Sequence, residues 1–202
     1  MKKLNIGVVC TIIVLILVIM YNINIESQRK EDKLQIENIC KNYLTFSNNY
    51  TMLDKNCINM SLNISQQEYN LYLSNMKTEI KKYFINDNNY INNQYEIMKK
   101  ILDKQLQNKS FVITDMNQNI TKMDKYIFSG NTAQVSFNVN VNVKYLINSN
   151  DVITNKVESN NVTDTIVFQK INGIWKVTYA KLNNISLLKD VYISDIYILM
   201  NN

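Results

Sequence analysis

The chain of 202 residues contains no histidine and no proline, only three glycines and three cysteines. Without histidine there is no Ser-His-Asp or Cys-His arrangement, and no His-containing zinc site. The side chain used most often as general base is missing too, so any catalysis would fall to carboxylates or tyrosine. Basic clusters are also lacking. The formal charge is +5, but Lys and Arg are scattered; "KTEIKK" and "MKKILDK" are both diluted by acids. A nucleic-acid surface gathers its cations on one face, so none is expected. No internal repeat is present, and no residue set suggests a metal or another cofactor.

What the chain has in excess begins at its N-terminus. Residues 6–21, "IGVVCTIIVLILVIMY", carry no charge, and the run extends to Ile25 if Asn22 and Asn24 sit at an interface. About twenty apolar residues suffice to cross a hydrocarbon core. A cleaved signal needs small residues just after the run, and "VIMYNINIES" supplies no suitable pair. A lipoprotein signal needs a cysteine at the end of the run, whereas Cys10 lies near its start. The expectation is an uncleaved signal-anchor over residues 1–26, crossing the cell membrane once through residues 6–25. Lys2 and Lys3 precede the span, while "ESQRKEDK" behind it balances three bases against three acids. The positive-inside rule then keeps the N-terminus cytoplasmic and puts residues 27–202 outside. In that oxidising compartment Cys40 and Cys57 are candidates for a disulfide; the plainer alternative is that Cys40 is a small hydrophobe on the apolar face of a helix.

Three helical patterns follow the anchor. Ile36, Ile39, Cys40, Tyr43 and Phe46 recur at spacings of three and four. The second pattern opens with a capping box, Ser65 and Glu68, and aligns Tyr69, Tyr72, Leu73, Met76, Ile80 and Tyr83. The third aligns Ile91, Tyr95, Met98, Leu102 and Leu106. Such tyrosine stripes predict core packing more than a binding surface. From Phe111 the period becomes two. "AQVSFNVNVNVKYLI" puts Ala133, Val135, Phe137, Val139, Val141, Val143 and Tyr145 on one face and polar residues on the other. This predicts an antiparallel sheet with one buried face. Fifteen such residues would span about 50 Å, so the strand is expected to bend or bulge.

With glycine so scarce, Asn172-Gly173 between two strand-like runs is informative. Both central positions of a type I′ hairpin need positive φ, which Asn and Gly tolerate best. The turn pairs 171 with 174, 170 with 175, 168 with 177 and 166 with 179. One face then carries Ile166, Phe168, Trp175, Val177 and Tyr179, with Lys170 beside the indole. After it comes an apolar tail, "NISLLKDVYISDIYILMNN", expected to cover the sheet edge, the alternative being a surface offered to a partner.

Taken together, these elements predict an α+β protein: a transmembrane helix, then about three helices on a curved antiparallel sheet. The strand entry "GNTAQVSFNV" at 130–139 and the closing hairpin "FQKINGIWKVTYAKL" at 168–182 resemble the nuclear transport factor 2-like (cystatin-like cone) superfamily over roughly residues 31–185. The resemblance implies a cone whose mouth holds a ligand or is filled by side chains. Enzymes of that superfamily place an Asp or His with a Tyr inside the cone, and no catalytic spacing here matches. An N-terminal span with an exterior cone is similar to scaffold subunits of conjugation and secretion machines, and to the membrane-proximal domain of some penicillin-binding proteins.

The function expected is a bitopic, non-catalytic interaction module of a bacterial envelope, with other envelope proteins as partners. The alternative is a small-molecule receptor whose pocket or core is formed by Phe137, Phe168, Trp175, Val177 and Tyr179. Asp115, Asp124 and Asp164, the carboxylates open to an enzymatic reading, are expected to be solvated loop or edge residues.

Overall fold

The structure is a computed structural model and describes residues 6–53, 66–108, 111–149 and 152–182. Among these, three helices precede a four-stranded sheet: α1 (Ile6–Thr51), α2 (Gln66–Tyr83), α3 (Asn88–Asn108), β1 (Phe111–Ser129), β2 (Thr132–Ser149), β3 (Val152–Ile171) and β4 (Ile174–Lys181). The chain forms two compact units, Met1–Asn38 and Ile39–Asn202.

The apolar N-terminal run and the first amphipathic pattern share one helix of 46 residues. No Pro or Gly interrupts the sequence between Ile12 and Thr51, so nothing breaks the backbone hydrogen-bond ladder between them. Two helices follow α1 among the described residues, where about three were expected after a separate span. Among the described residues α1 is the one helix long and apolar enough to cross a membrane, and none of its apolar window is buried. From Ile12 to Tyr21 every side chain is exposed. Further along, Ile36, Cys40, Tyr43 and Phe46 are buried as the periodicity predicts.

No glycine caps the end of α1. Its last carbonyls are instead satisfied from elsewhere in the fold. The Tyr72 hydroxyl lies 2.9 Å from the carbonyls of Asn49 and Met52, and Gln105 Nε2 donates to that of Thr51 at 2.8 Å. Gln105 is buried, and its Oε1 accepts from the backbone N–H of Ile113 at 3.0 Å, so one amide ties α1, α3 and β1 together. An aromatic seam joins α1 to α2: Tyr43, Phe46, Tyr50, Tyr72, Tyr83 and Phe84 form a connected set, with ring centroids 5.1–5.8 Å apart. The Ser65 half of the expected capping box lies outside the described residues. Helix α3 starts on Asp87, whose Oδ1 accepts from Asn89 N–H at 2.8 Å. Its buried stripe is Ile91, Gln94, Ile97, Met98, Ile101, Leu102 and Gln105. Tyr95 and Leu106, expected there, are half-buried.

The strands run β1-β2-β3-β4 in a plain antiparallel meander. Alternation holds throughout β2: all seven predicted residues from Ala133 to Tyr145 are buried. β2 pairs with β3 over eighteen consecutive positions with no break, so the bulge expected in it is absent. The irregularities lie on the edge strands. β1 inserts Thr114, Thr121 and Asp124 against β2, and β4 inserts Thr178 against β3. Three of these four extra residues are threonines. Each donates its hydroxyl across the break to a partner-strand carbonyl: Thr114 to Lys144 (3.1 Å), Thr121 to Asn138 (3.2 Å) and Thr178 to Val167 (3.2 Å). A bulge takes one residue out of the ladder, and a β-branched residue with a donor fills that gap locally.

The final hairpin turns at Asn172 (φ 50°) and Gly173 (φ 81°), with Ile171 opposite Ile174. The turn chemistry is the one the dipeptide predicts. Beyond Val177, however, the Thr178 bulge shifts the register. Val167 now faces Tyr179 and Ile166 faces Ala180, instead of 166 facing 179.

Candidate functional site

The buried face of the sheet is a packed surface. Phe137, Phe168 and Val177 are fully buried, and Trp175 nearly so. Trp175 lies edge-on to Phe128 at 6.1 Å, and Lys170 Nζ sits 5.5 Å from its ring centroid, as expected for the side chain beside the indole. Phe84, just after α2, pairs in an isolated bridge with Val177, bringing the helical layer down on this end of the sheet. Tyr179 is the correction: the bulge turns it to the opposite face, where it is 39 % exposed. A one-residue insertion reverses the side of every later side chain.

The same parity that buries Ile166 and Phe168 carries on to Asp164, which is 0 % exposed. It stands opposite Phe137, one of the largest buried side chains. Reading Asp164 as a solvated residue is therefore wrong. The signal was present in the strand alternation, where 164 shares a face with 166 and 168. Asp115 and Asp124 are indeed solvated, with salt bridges to Lys144 (3.0 Å) and Lys122 (3.2 Å).

Tyr43 on α1 is also fully buried, and among the described residues its hydroxyl has no hydrogen-bond partner. Burial raises its pKa far above the usual phenol value; the neighbouring charge of Asp164, and then Tyr83, push it further the same way. A carboxyl group and a phenol thus share an apolar interior between helix and sheet. Periodicity placed Tyr43 in the core but gave no hint of a buried acid beside it. A second polar group, Gln118 on β1, donates Nε2–H to Asn48 Oδ1 at 2.6 Å. Farther out, Tyr69 donates to Asp103, which also accepts from Lys99 Nζ at 2.8 Å. The Tyr69 hydroxyl is pushed up by burial and then by this bond, and Lys99 is raised chiefly by its own bond to Asp103.

The other notable surface is an edge. β4 covers β3 only from Thr165 to Ile171. From Val152 to Val162 no described strand lies on the outer side of β3. Val152, Ile153 and Val157 on this stretch are 63 %, 57 % and 66 % exposed. Glu158 on the same stretch accepts at Oε1 from the Tyr145 hydroxyl at 2.6 Å. On the open face, Asn, Ser and Thr side chains bond across strands: Asn140 to Asn161 (3.1 Å), Thr163 to Asn138 (3.0 Å) and Ser136 with Thr165 (3.1 Å).

Cys40 is buried, while Cys57 and the apolar tail both lie outside the described residues. Among the described residues no group of three or more Cys, Asp or Glu is placed to hold a metal. No protein-family model matches the chain, and neither does any curated protein. A solved structure of an NTF2-like protein of unknown function from Prochlorococcus marinus is similar to part of it. The match has 23 % sequence identity and a TM-score of 0.26, and covers 40 % of this chain and 55 % of that one. This chain therefore spans about half the length of that structure.

Proposed function

We propose that this protein is a membrane-anchored, extracytoplasmic interaction module of a bacterial envelope, without catalytic activity. Its α+β part is read as a member of the nuclear transport factor 2-like superfamily, with the sheet curved into a cone by its edge-strand bulges. The apolar part of α1 crosses the membrane with the N-terminus inside, and other envelope proteins are its partners. The observation that carries the reading is the stretch Val152–Val162 of β3, long, extended and bearing exposed valine and isoleucine. Strand edges left open to solvent recruit another strand, and soluble proteins usually blunt or cover them; no described strand lies on this side of β3. Burial of Phe137, Phe168 and Trp175 argues in the same direction, since it fills the cone with side chains.

The test is cross-linking in cells that carry the tagged full-length chain, followed by purification in mild detergent and mass spectrometry. A reproducible set of envelope proteins, lost on Val157→Asp, is the expected outcome. A chain that brings down no other protein and is also monomeric would sink the proposal. One observation favours a second reading, a receptor for a small molecule: Asp164 and Tyr43 are both fully buried, and the charge of the first acts on the second. Under that reading Asp164→Asn would abolish a ligand-induced rise in melting temperature, and no such rise would occur under the first.

A further inference from the structure

Building on the proposed interaction role, we infer that the partner of the β3 edge is a second copy of this chain, joined to it about a two-fold axis at Val157. The stretch reads Val152-Ile-Thr-Asn-Lys156-Val157-Glu158-Ser-Asn-Asn-Val162. Two copies running antiparallel, with Val157 opposite its own symmetry mate, bring Lys156 opposite the other copy's Glu158, and the reverse. The same register sets Val152 against Val162, Asn155 against Ser159 and Thr154 against Asn160. Apolar residues meet apolar ones and polar residues meet polar ones, except that Ile153 lies opposite Asn161, and both charges are matched. Each feature appears twice, as an isologous contact requires.

The neighbouring registers fail on charge. A two-fold perpendicular to the sheet keeps the buried faces on one side, so the axis residue can move only in whole positions. Moving it to Lys156 sets two lysines face to face; moving it to Glu158 does the same with two glutamates. Like charges directly opposite oppose pairing, while opposite charges favour it. Glu158 is held at the edge by the Tyr145 hydroxyl, 2.6 Å from its Oε1, so its carboxylate is already in place. Val157, the axis residue, is 66 % exposed, the most exposed of the large apolar side chains on this stretch. Joined this way, two four-stranded sheets become one of eight, and the side of β3 that no described strand occupies is paired in both copies.

The experiment uses the full-length chain in detergent, with light scattering for mass and oxidative cross-linking for register. The wild type is expected to dimerise at micromolar concentration, and Val157→Cys to give a disulfide-linked dimer that Val152→Cys does not. Lys156→Glu alone and Glu158→Lys alone should each weaken the dimer about ten-fold or more. The double reversal restores opposite charges across the axis and should recover most of that loss. A monomeric wild type would overturn the inference, as would a dimer indifferent to both single reversals or a double reversal no better than the singles. Self-linking of Ser159→Cys in place of Val157→Cys would overturn the register. A monomer that still captures envelope proteins, and loses them on Val157→Asp, would refute the two-fold while leaving the interaction role standing.

Discussion

Replacing Tyr43 with phenylalanine removes a single oxygen from the interior, and the sign of its effect is worth predicting. Burying a hydroxyl with no hydrogen bond costs about 1–3 kcal/mol by protein mutational data. Among the described residues the Tyr43 hydroxyl is in that position, and the side chain is 0 % exposed. The oxygen leaves a small void, whose lost packing offsets part of the gain. The net expectation is a stabilisation of about 1 kcal/mol at neutral pH, or about 2–4 °C in melting temperature for a chain of this size. The effect should grow at alkaline pH. In the unfolded chain the phenol ionises near pH 10, whereas in the folded protein burial, then Asp164, hold it protonated. A group whose folded pKa is raised contributes its stability in full below the unfolded value and loses it as pH rises beyond. Above pH 10 each such tyrosine steepens the loss by up to about 1.4 kcal/mol per pH unit. The phenylalanine variant has no such proton, so the gap between variant and wild type widens there. Urea denaturation followed by the fluorescence of Trp175, the sole tryptophan, at pH 7, 9 and 11 measures both effects. A Tyr43→Phe protein less stable than wild type at pH 7 would refute the reasoning and show that the hydroxyl is hydrogen-bonded, with Asp164 as the acceptor to examine.

Gln105→Leu should be among the most damaging single changes. It strips hydrogen bonds from the Thr51 carbonyl and the Ile113 N–H inside the protein, and a loss of about 2–5 kcal/mol is expected in chemical denaturation. Gly173→Ala isolates backbone strain, because a Cβ there meets nothing within 4 Å yet φ is +81°; about 1–2 kcal/mol should be lost, with the circular dichroism spectrum unchanged. Thr121→Val keeps the β-branched shape and removes the donor that bridges the bulge, so it should cost about 1 kcal/mol, whereas Thr121→Ser should cost less.

Much of this architecture is written in periodicity. Alternation in β2 identified every buried residue from Ala133 to Tyr145, because a strand with one buried face repeats at two and nothing else in the chain imitates it. The Asn172-Gly173 turn was legible for a different reason, namely that few residues tolerate positive φ. What escaped were events that cost a single residue. The Thr178 bulge cannot be distinguished from regular strand by composition, since threonine is equally at home in both, and it moved Tyr179 to the other face. The continuity of α1 escaped because change from an all-round apolar run to a striped one looks like a boundary. Asp164 is legible in the strand parity it shares with Ile166 and Phe168, against the ordinary expectation that an aspartate is solvated. The influence of the Asp164 charge on Tyr43 lay beyond the sequence, since the two residues are over a hundred positions apart.

All four bulges fall on β1 and β4, and none interrupts the eighteen-position ladder between β2 and β3. The consequence concerns the order of events in time. All three hairpins close from a two-residue connection, so loop entropy does not separate them; the ladder of β2 and β3 alone zips outward without a register break. The outer strands must be laid down on that hairpin with an extra residue accommodated at each irregularity. A valine-to-alanine change at Val139 should therefore slow refolding, whereas Thr121→Val should leave the refolding rate nearly untouched and appear in the unfolding arm of the chevron. In this chain the regular middle sets the pace of folding, and the irregular margins set how long the folded state endures.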